Sequence, residues 1–220
     1  MLINSNTILL GKKVILIPYK PEHVEKYHSW MQSEELLEKT ASERLSIEQE
    51  YEMQKSWAED SDKLTFILFC CDKSTNHAEE FIQSPRSSVI LQGDIIGDVN
   101  IFLNDSENPS HAELEIMIAE PGFRGRGIGK EALLIMMNYA IEKIGIEKFV
   151  CKVSKDNTES LSLFKDKLGF CVASYSTAFE EYTLEASKES FENDSLLSKF
   201  LESSKKITKC GLFDQFKFAI

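Results

Sequence analysis

The stretch PGFRGRGIGKEALL, residues 121–134, sets three glycines and two arginines where an apolar run of one period gives way to an apolar run of another. Upstream, AELEIMIA (residues 112–119) alternates Leu114, Ile116 and Ile118 with Glu113, Glu115 and Met117, the period of a strand. Downstream, Leu133, Met136, Met137, Ala140 and Ile144 recur at helical spacing up to Gly145, which predicts a helix over 130–144. A strand that feeds a helix through glycines leaves backbone N–H groups unpaired at the helix start. Together with the helix dipole they attract an anion, phosphate above all.

Two common nucleotide loops fail at specific positions. A P-loop needs glycine where Arg124 stands and a hydroxyl where Glu131 stands, although Gly129-Lys130 is present. A dinucleotide fingerprint, started at Gly125-x-Gly127, needs glycine where Lys130 stands. What remains is Arg-x-x-Gly-x-Gly, spelled by Arg124, Gly125, Arg126, Gly127, Ile128 and Gly129.

Working outward, residues 7–17 (TILLGKKVILI) read as two short strands around Gly11-Lys12-Lys13. Pro21 opens a helix carrying Val24, Tyr27 and Met31, and Ser46 with Gln49 forms a capping box for a second. Residues 64–71 form a buried strand, residues 72–87 a loop, and residues 88–103 a hairpin or bulged pair around Gly93-Asp94. After the central helix come a strand (149–153), a helix (156–168) closed by Gly169, and a final strand pair (170–175 and 178–185). This order predicts an α+β domain around one mixed sheet over residues 1–186, followed by a polar extension, 187–220, helical around Leu196, Leu197, Phe200 and Leu201 or partly disordered.

Composition narrows the function. A net charge of −11 argues against nucleic-acid binding, which calls for a basic face. The charge is uneven: residues 34–62 hold ten acids against three bases, whereas residues 120–167 are slightly basic, an arrangement suited to a cationic substrate beside an anionic cofactor. Five cysteines without a Cys-x-x-Cys pair read as reduced thiols, and four scattered histidines offer no metal spacing. No apolar run is long enough for a membrane span or signal peptide, so the expected setting is the cytosol, with passive entry to the nucleus open to it.

Beyond the glycine turn, Asn157, Ser160, Leu163 and Phe164 precede Leu168-Gly169-Phe170. Both motifs, in this order, resemble the GNAT N-acetyltransferase superfamily. The resemblance implies a mixed sheet with a splayed strand pair, flanked by helices, and acetyl-coenzyme A as co-substrate. It implies that residues 124–130 (Arg124 to Lys130) receive the pyrophosphate, that the backbone of Ile116, Met117 and Ile118 holds the pantetheine arm, and that Asn157, Ser160 and Phe164 belong to the same site. Glu113, eleven residues before Arg124, falls at the general-base position of histone-acetylating members, with Glu115 in reserve on the same face. The developing oxyanion would meet a backbone N–H near Ile118. Phe164 stands where many members place a proton-donating tyrosine, and one extra residue separates it from Leu168-Gly169-Phe170.

Closer still, LLGKKV (9–14), Glu22-His23-Val24, Tyr27-His28, Thr40-Ala41-Ser42-Glu43, Glu48-Gln49-Glu50-Tyr51, Gly97-Asp98-Val99-Asn100 and Met117-Ile118-Ala119-Glu120-Pro121 resemble the N-acetyltransferase 9-like subfamily, the alpha/beta-tubulin N-acetyltransferases. That resemblance covers about residues 1–185. It implies acetylation of a tubulin N-terminal amine and an effect on microtubule stability. The residues by themselves reach acetyl transfer to some primary amine, and a polyamine or lysine acceptor stays open. So does a protein that keeps the fold and binds microtubules without turnover.

Overall fold

The computed structural model describes residues 2–71, 90–193, 210–212 and 217–219. The loop expected over 72–87 and the tail helix around 196–201 lie outside them. Strands β1 (Thr7–Leu10), β2 (Ile15–Pro18), β3 (Lys63–Cys71), β4 (Ile90–Phe102), β5 (His111–Ile118), β6 (Lys148–Ser154), β7 (Cys171–Ser176) and β8 (Glu181–Ser187) form one sheet in the order β7-β8-β6-β5-β4-β3-β2-β1. Neighbours run antiparallel except β5 and β6, which are parallel, as a strand-helix-strand crossover requires. The crossover is α4 (Ile128–Ile144), closed by Gly145 in the left-handed region at φ 81°.

Each face of the sheet has its own core. One face packs α4 on Leu16, Phe66, Leu68, Val99, Leu114 and Phe149. Three helices, α1 (Val24–Trp30), α2 (Glu34–Lys39) and α3 (Ile47–Glu59), cover the other face, where Tyr27 and Trp30 meet Ile17, Ile67 and Met117. The capping box of α3 forms as its sequence requires: Ser46 accepts from Gln49 N and Gln49 accepts from Ser46 N. α2 is an addition to the two helices read from sequence. It is six residues long, too short for a periodic signal, and Ser33 caps it.

Three further expectations change. Gly93-Asp94 makes no hairpin: β4 runs straight through it, and Gly93 is there because a Cβ would lie 2.1 Å from the Cys70 carbonyl oxygen of β3. The irregularity falls later, where the β3–β4 register skips from Ile95 to Gly97, and a Cβ on Gly97 would lie 1.9 Å from Met117 O of β5. The helix after Asn157 is α5 (Thr158–Leu161) running into a π-helical turn, Ser162–Lys167. A π turn takes up one more residue than an α turn, which is how the extra residue before Leu168-Gly169-Phe170 is accommodated. In the tail, α6 (Lys188–Asn193) is helical, but β9 (Cys210–Leu212) pairs with β1 and β10 (Lys217–Ala219) runs parallel to the start of β4.

β5 and β6 pair only at His111↔Lys148, Ala112↔Phe149 and Glu113↔Val150. Beyond Glu113 the two strands part, and the gap between them opens toward the glycine turn.

Phe66 is fully buried under α4, with its ring 5.8 Å edge-on from Tyr139. Phe66→Ala should lower stability by about 3–5 kcal/mol in urea unfolding, because the truncation leaves a cavity between sheet and helix.

Candidate active site

Residues Pro121–Phe123 form a single 3-10 turn, and Gly125 and Gly127 follow with φ of 72° and 77°, a conformation that a side chain would strain. Gly127 is the N-cap of α4 and brings no side chain to occupy the first-turn N–H groups. Those groups and the dipole of a 17-residue helix therefore face outward as an anion cradle. Lys13 reaches it from the β1–β2 turn, donating from Nζ to Arg126 O at 2.8 Å. Glu131 holds that turn in place by accepting the N–H groups of Lys12 and Lys13.

Arg124 points elsewhere. Its Nε donates to Ile118 O at 2.9 Å, its Nη2 to Ala119 O at 3.4 Å and its Nη1 to Glu35 at 2.7 Å, so the side chain clamps the loop to β5 and α2. Arg126 is exposed, its guanidinium 5.2 Å from the Phe123 ring, while Ile128 is buried in the core and Lys130 lies half-buried on the first helical turn.

Below the cradle, Ala119 N donates to Ile96 O, so by strand alternation the backbone groups of Ile116 and Ile118 face away from β4 and into the gap. The Ile118 carbonyl is already taken by Arg124, which leaves its N–H as the group to offer. Met117 is buried against α1 on the opposite face. A Cβ on Gly129 would lie 3.6 Å from both Ile116 Cδ1 and Leu163 Cδ2, so the two sequence motifs meet at this point. Asn157 caps α5, its Oδ1 accepting from Ser160 N at 3.2 Å. Phe164 is buried with its ring 5.2 Å from Phe170. It lines the core and has no proton to donate.

The two glutamates differ in setting. Glu113 is paired with Lys152 at 2.9 Å and accepts from Asn104 at 3.2 Å. Glu115 is exposed at its outer edge but crowded on its protein side, which raises its pKa to about 7. Desolvation is the main cause, Lys63 opposes it, and the carboxylates of Asp98 and Glu113 add to it.

Behind Glu115 lies a polar row that runs across three strands. The register Thr65↔Asn100↔Glu115 puts these side chains level on the face covered by α1–α3. Thr65 Oγ1 donates to Asn100 Oδ1 at 2.6 Å, and Asn100 Nδ2 donates to Asp98 Oδ2 at 2.7 Å. Tyr27 OH lies 3.4 Å from the same oxygen. Asp98 is fully enclosed, and desolvation pushes its pKa up to about 6 against Asn100, Lys63 and Tyr27, which lower it. Lys63 Nζ sits 3.0 Å from the Trp57 ring centroid and 4.3 Å from that of Phe102. Asp98, Lys63, Tyr27 and Trp57 are not among the site residues that the sequence motifs point to. The available signal was Asp98 and Asn100, two polar residues at strand spacing inside an apolar run. Among the described residues no group of His, Cys, Asp and Glu could hold a metal ion, and no helix is long and apolar enough to cross a membrane.

A parallel strand pair that opens beneath a glycine-capped helix is the arrangement of an acetyltransferase (GNAT) domain, and the family model of that description matches residues 13–170. The fold agrees with solved structures: RimJ of Mycobacterium smegmatis in complex with CoA-disulfide (TM-score 0.67, 12% identity, 93% of this chain and 97% of that one) and spermidine N-acetyltransferase of Vibrio cholerae in complex with CoA and spermine (TM-score 0.65, 14% identity, 83% and 100%).

The N-acetyltransferase 9-like protein of Nematostella vectensis is 50% identical over 193 residues, 88% of this chain and 92% of the relative. Human alpha/beta-tubulin-N-acetyltransferase 9 is 45% identical over 198 residues, 90% and 91%. The chain belongs to the GNAT acetyltransferase family, among the N-acetyltransferase 9-like proteins.

The enclosed carboxyl has a measurable consequence. An acid whose folded pKa lies above its unfolded value of 3.8 adds most to stability at low pH and loses that contribution as pH rises through about 6. Raising pH from about 5 to 8 should therefore lower the thermal midpoint of the wild type more than that of Asp98→Asn, a relative change on the order of 1 kcal/mol.

Proposed function

We propose that the chain transfers the acetyl group of acetyl-coenzyme A to the N-terminal α-amine of a protein, with tubulin as acceptor, in the cytosol. The observation that carries this reading is Glu115: an exposed carboxylate on β5, just past the point where β5 and β6 part, on the face covered by the acidic helices α2 and α3. The names of the relatives, several of them alpha/beta-tubulin-N-acetyltransferase 9, support tubulin.

The cradle fits the group. Gly125 and Gly127 hold their N–H groups open, and Lys13 adds a cation at its rim. When bound, acetyl-coenzyme A supplies an activated acyl thioester. The chain's own part is to seat the pyrophosphate on the first turn of α4, to offer the gap-facing backbone of Ile116 and the Ile118 N–H to the pantetheine arm, and to take a proton from the acceptor ammonium.

The amine decides how much basic help is needed. At pH 7 about a tenth of a protein α-amine is neutral, against less than about a thousandth of a lysine side chain. A carboxylate titrating near 7 suits the first task, because about half of it is ionised at pH 7 and it is basic enough to accept a proton directly or through one water. Glu113 is already committed to Lys152 and serves as a neighbour that keeps Glu115 basic. This reverses the order in which the two carboxylates were read from sequence.

Phe164 supplies no acid, so the leaving thiolate is protonated from solvent through the open gap. The buried Phe164 also favours a second reading, a microtubule-binding protein that needs no turnover. The two separate by one variant: Glu115→Gln should lower kcat on tubulin N-terminal peptides by roughly 100-fold, read by mass spectrometry, with acetyl-coenzyme A affinity unchanged. Unchanged microtubule stabilisation by this inactive variant would favour the second reading. Gly127→Glu tests the cradle by itself: a carboxylate forced into a left-handed N-cap beside a pyrophosphate site should abolish calorimetric binding of acetyl-coenzyme A. Undiminished affinity would place the cofactor elsewhere.

A further inference from the structure

Lys63 is 6% exposed, on the first residue of β3, in a sheet whose neighbouring core is apolar. A lysine is rarely fully enclosed without a purpose for its charge, since desolvating an ammonium is costly. Three features define its setting. Its ammonium is sandwiched between the Trp57 ring of α3 and the Phe102 ring of β4, at 3.0 and 4.3 Å. The register Lys63↔Phe102↔Glu113 places it one step along the sheet from the row Thr65↔Asn100↔Glu115, on the same face. Its charge is felt by Asp98 and by Glu115, and theirs by it.

We propose that Lys63 is a positioning residue for acetyl transfer, whose ammonium, seated between Trp57 and Phe102, favours the ionised form of Glu115 that accepts the acceptor's proton. This rests on the reading of Glu115 as the base. The groups that face Glu115 are Lys63 from β3, Asp98 from β4, Glu113 on its own strand, Lys152 from β6 and Tyr27 from α1. Lys152 is paired with Glu113 at 2.9 Å. Glu115 has an enclosed carboxylate behind it and another beside it, so without Lys63 it would hold its proton to a higher pH and offer the acceptor a smaller fraction of base. The aromatic seat matters because rings stabilise an ammonium through their faces and take no proton from it, which works against the burial that lowers the Lys63 pKa to about 8. Asp60 is the remaining acid near Lys63 and lies just past the end of α3, on its solvent side.

The test separates this statement from the one beneath it. Carbon-detected NMR titration of glutamate carboxyls, with the Glu115 resonance assigned by its absence in Glu115→Gln, reads ionisation without catalysis. In Lys63→Met the Glu115 midpoint should rise by roughly half to one pH unit, and in Lys63→Arg, which keeps the charge, it should stay near the wild-type value. A Glu115 midpoint unmoved in folded Lys63→Met overturns the proposal. Should Lys63→Met fail to fold, Lys63→Gln drops the same charge with a polar side chain and carries the same expectation.

The acid limb of the kcat/KM profile for a tubulin N-terminal peptide should move with that midpoint. It should cost roughly two- to fivefold at pH 7 and almost nothing at pH 9, with acetyl-coenzyme A affinity unchanged. A midpoint that moves while the rate profile does not would sustain Lys63's hold on Glu115 and remove Glu115 as the base.

Discussion

Two parallel strands that pair for three residues and then part are the constraint from which the rest of the molecule follows. A sheet normally spends every backbone N–H and C=O on a neighbour, and a buried group left unpaired is costly. β5 and β6 give up that pairing beyond Glu113↔Val150, so the gap has to be both supported and useful. Support comes from the β4 side, where the bulge at Gly97 lets β4 press against Met117, and from Gly129, where the first turn of α4 meets Ile116 and Leu163. The unpaired backbone of Ile116 and Ile118 faces that gap, which ends at the first turn of α4.

That geometry explains why the sheet's two faces are chemically unlike. The face under α4 is apolar without interruption, as a crossover helix demands. The face under α1–α3 begins the same way, with Ile17, Ile67 and Met117, and then changes to Asp98, Asn100, Thr65, Lys63 and Glu115. An enclosed Asp and Lys cost stability in their charged forms, and the partners assembled around them, Asn100, Tyr27, Trp57 and Phe102, offset only part of it. Perturbed charges of this kind cluster where they serve chemistry, and here they lie beside the exposed Glu115.

The amino-acid pattern made the central part of the fold legible because its signals were strong and local. The alternation before Pro121, the glycines and the helical repeat up to Gly145 each rest on a few adjacent residues, and each stands where it was expected. What stayed hidden depended on contacts distant in sequence. Gly93 looked like a turn because glycine commonly makes one, yet its role is to let the Cys70 carbonyl pass close by. Alternation puts Glu113 and Glu115 on one face, and spacing to Arg124 favours Glu113. In the fold, Lys152 from β6 and Lys63 from β3 tell them apart. Arg124 read as a phosphate ligand by position, and its side chain is spent on Ile118, Ala119 and Glu35. The strands β9 and β10 carried no signal strong enough to separate them from a polar tail.

The bond from Glu131 to the Lys12–Lys13 turn, 118 residues apart for Lys13, has a kinetic implication. The glycine turn is local in sequence, but the backbone around it is braced by a hairpin made at the other end of the domain. Contacts of such separation are favourable only after the entropy of closing the intervening chain has been lost, so they form late. The helix can wind early, while the cradle at its start takes its final shape only when the first and central strands have joined the same sheet. Affinity for the anion is in this sense a report on the finished topology, and a partly assembled chain would have the motif without the site.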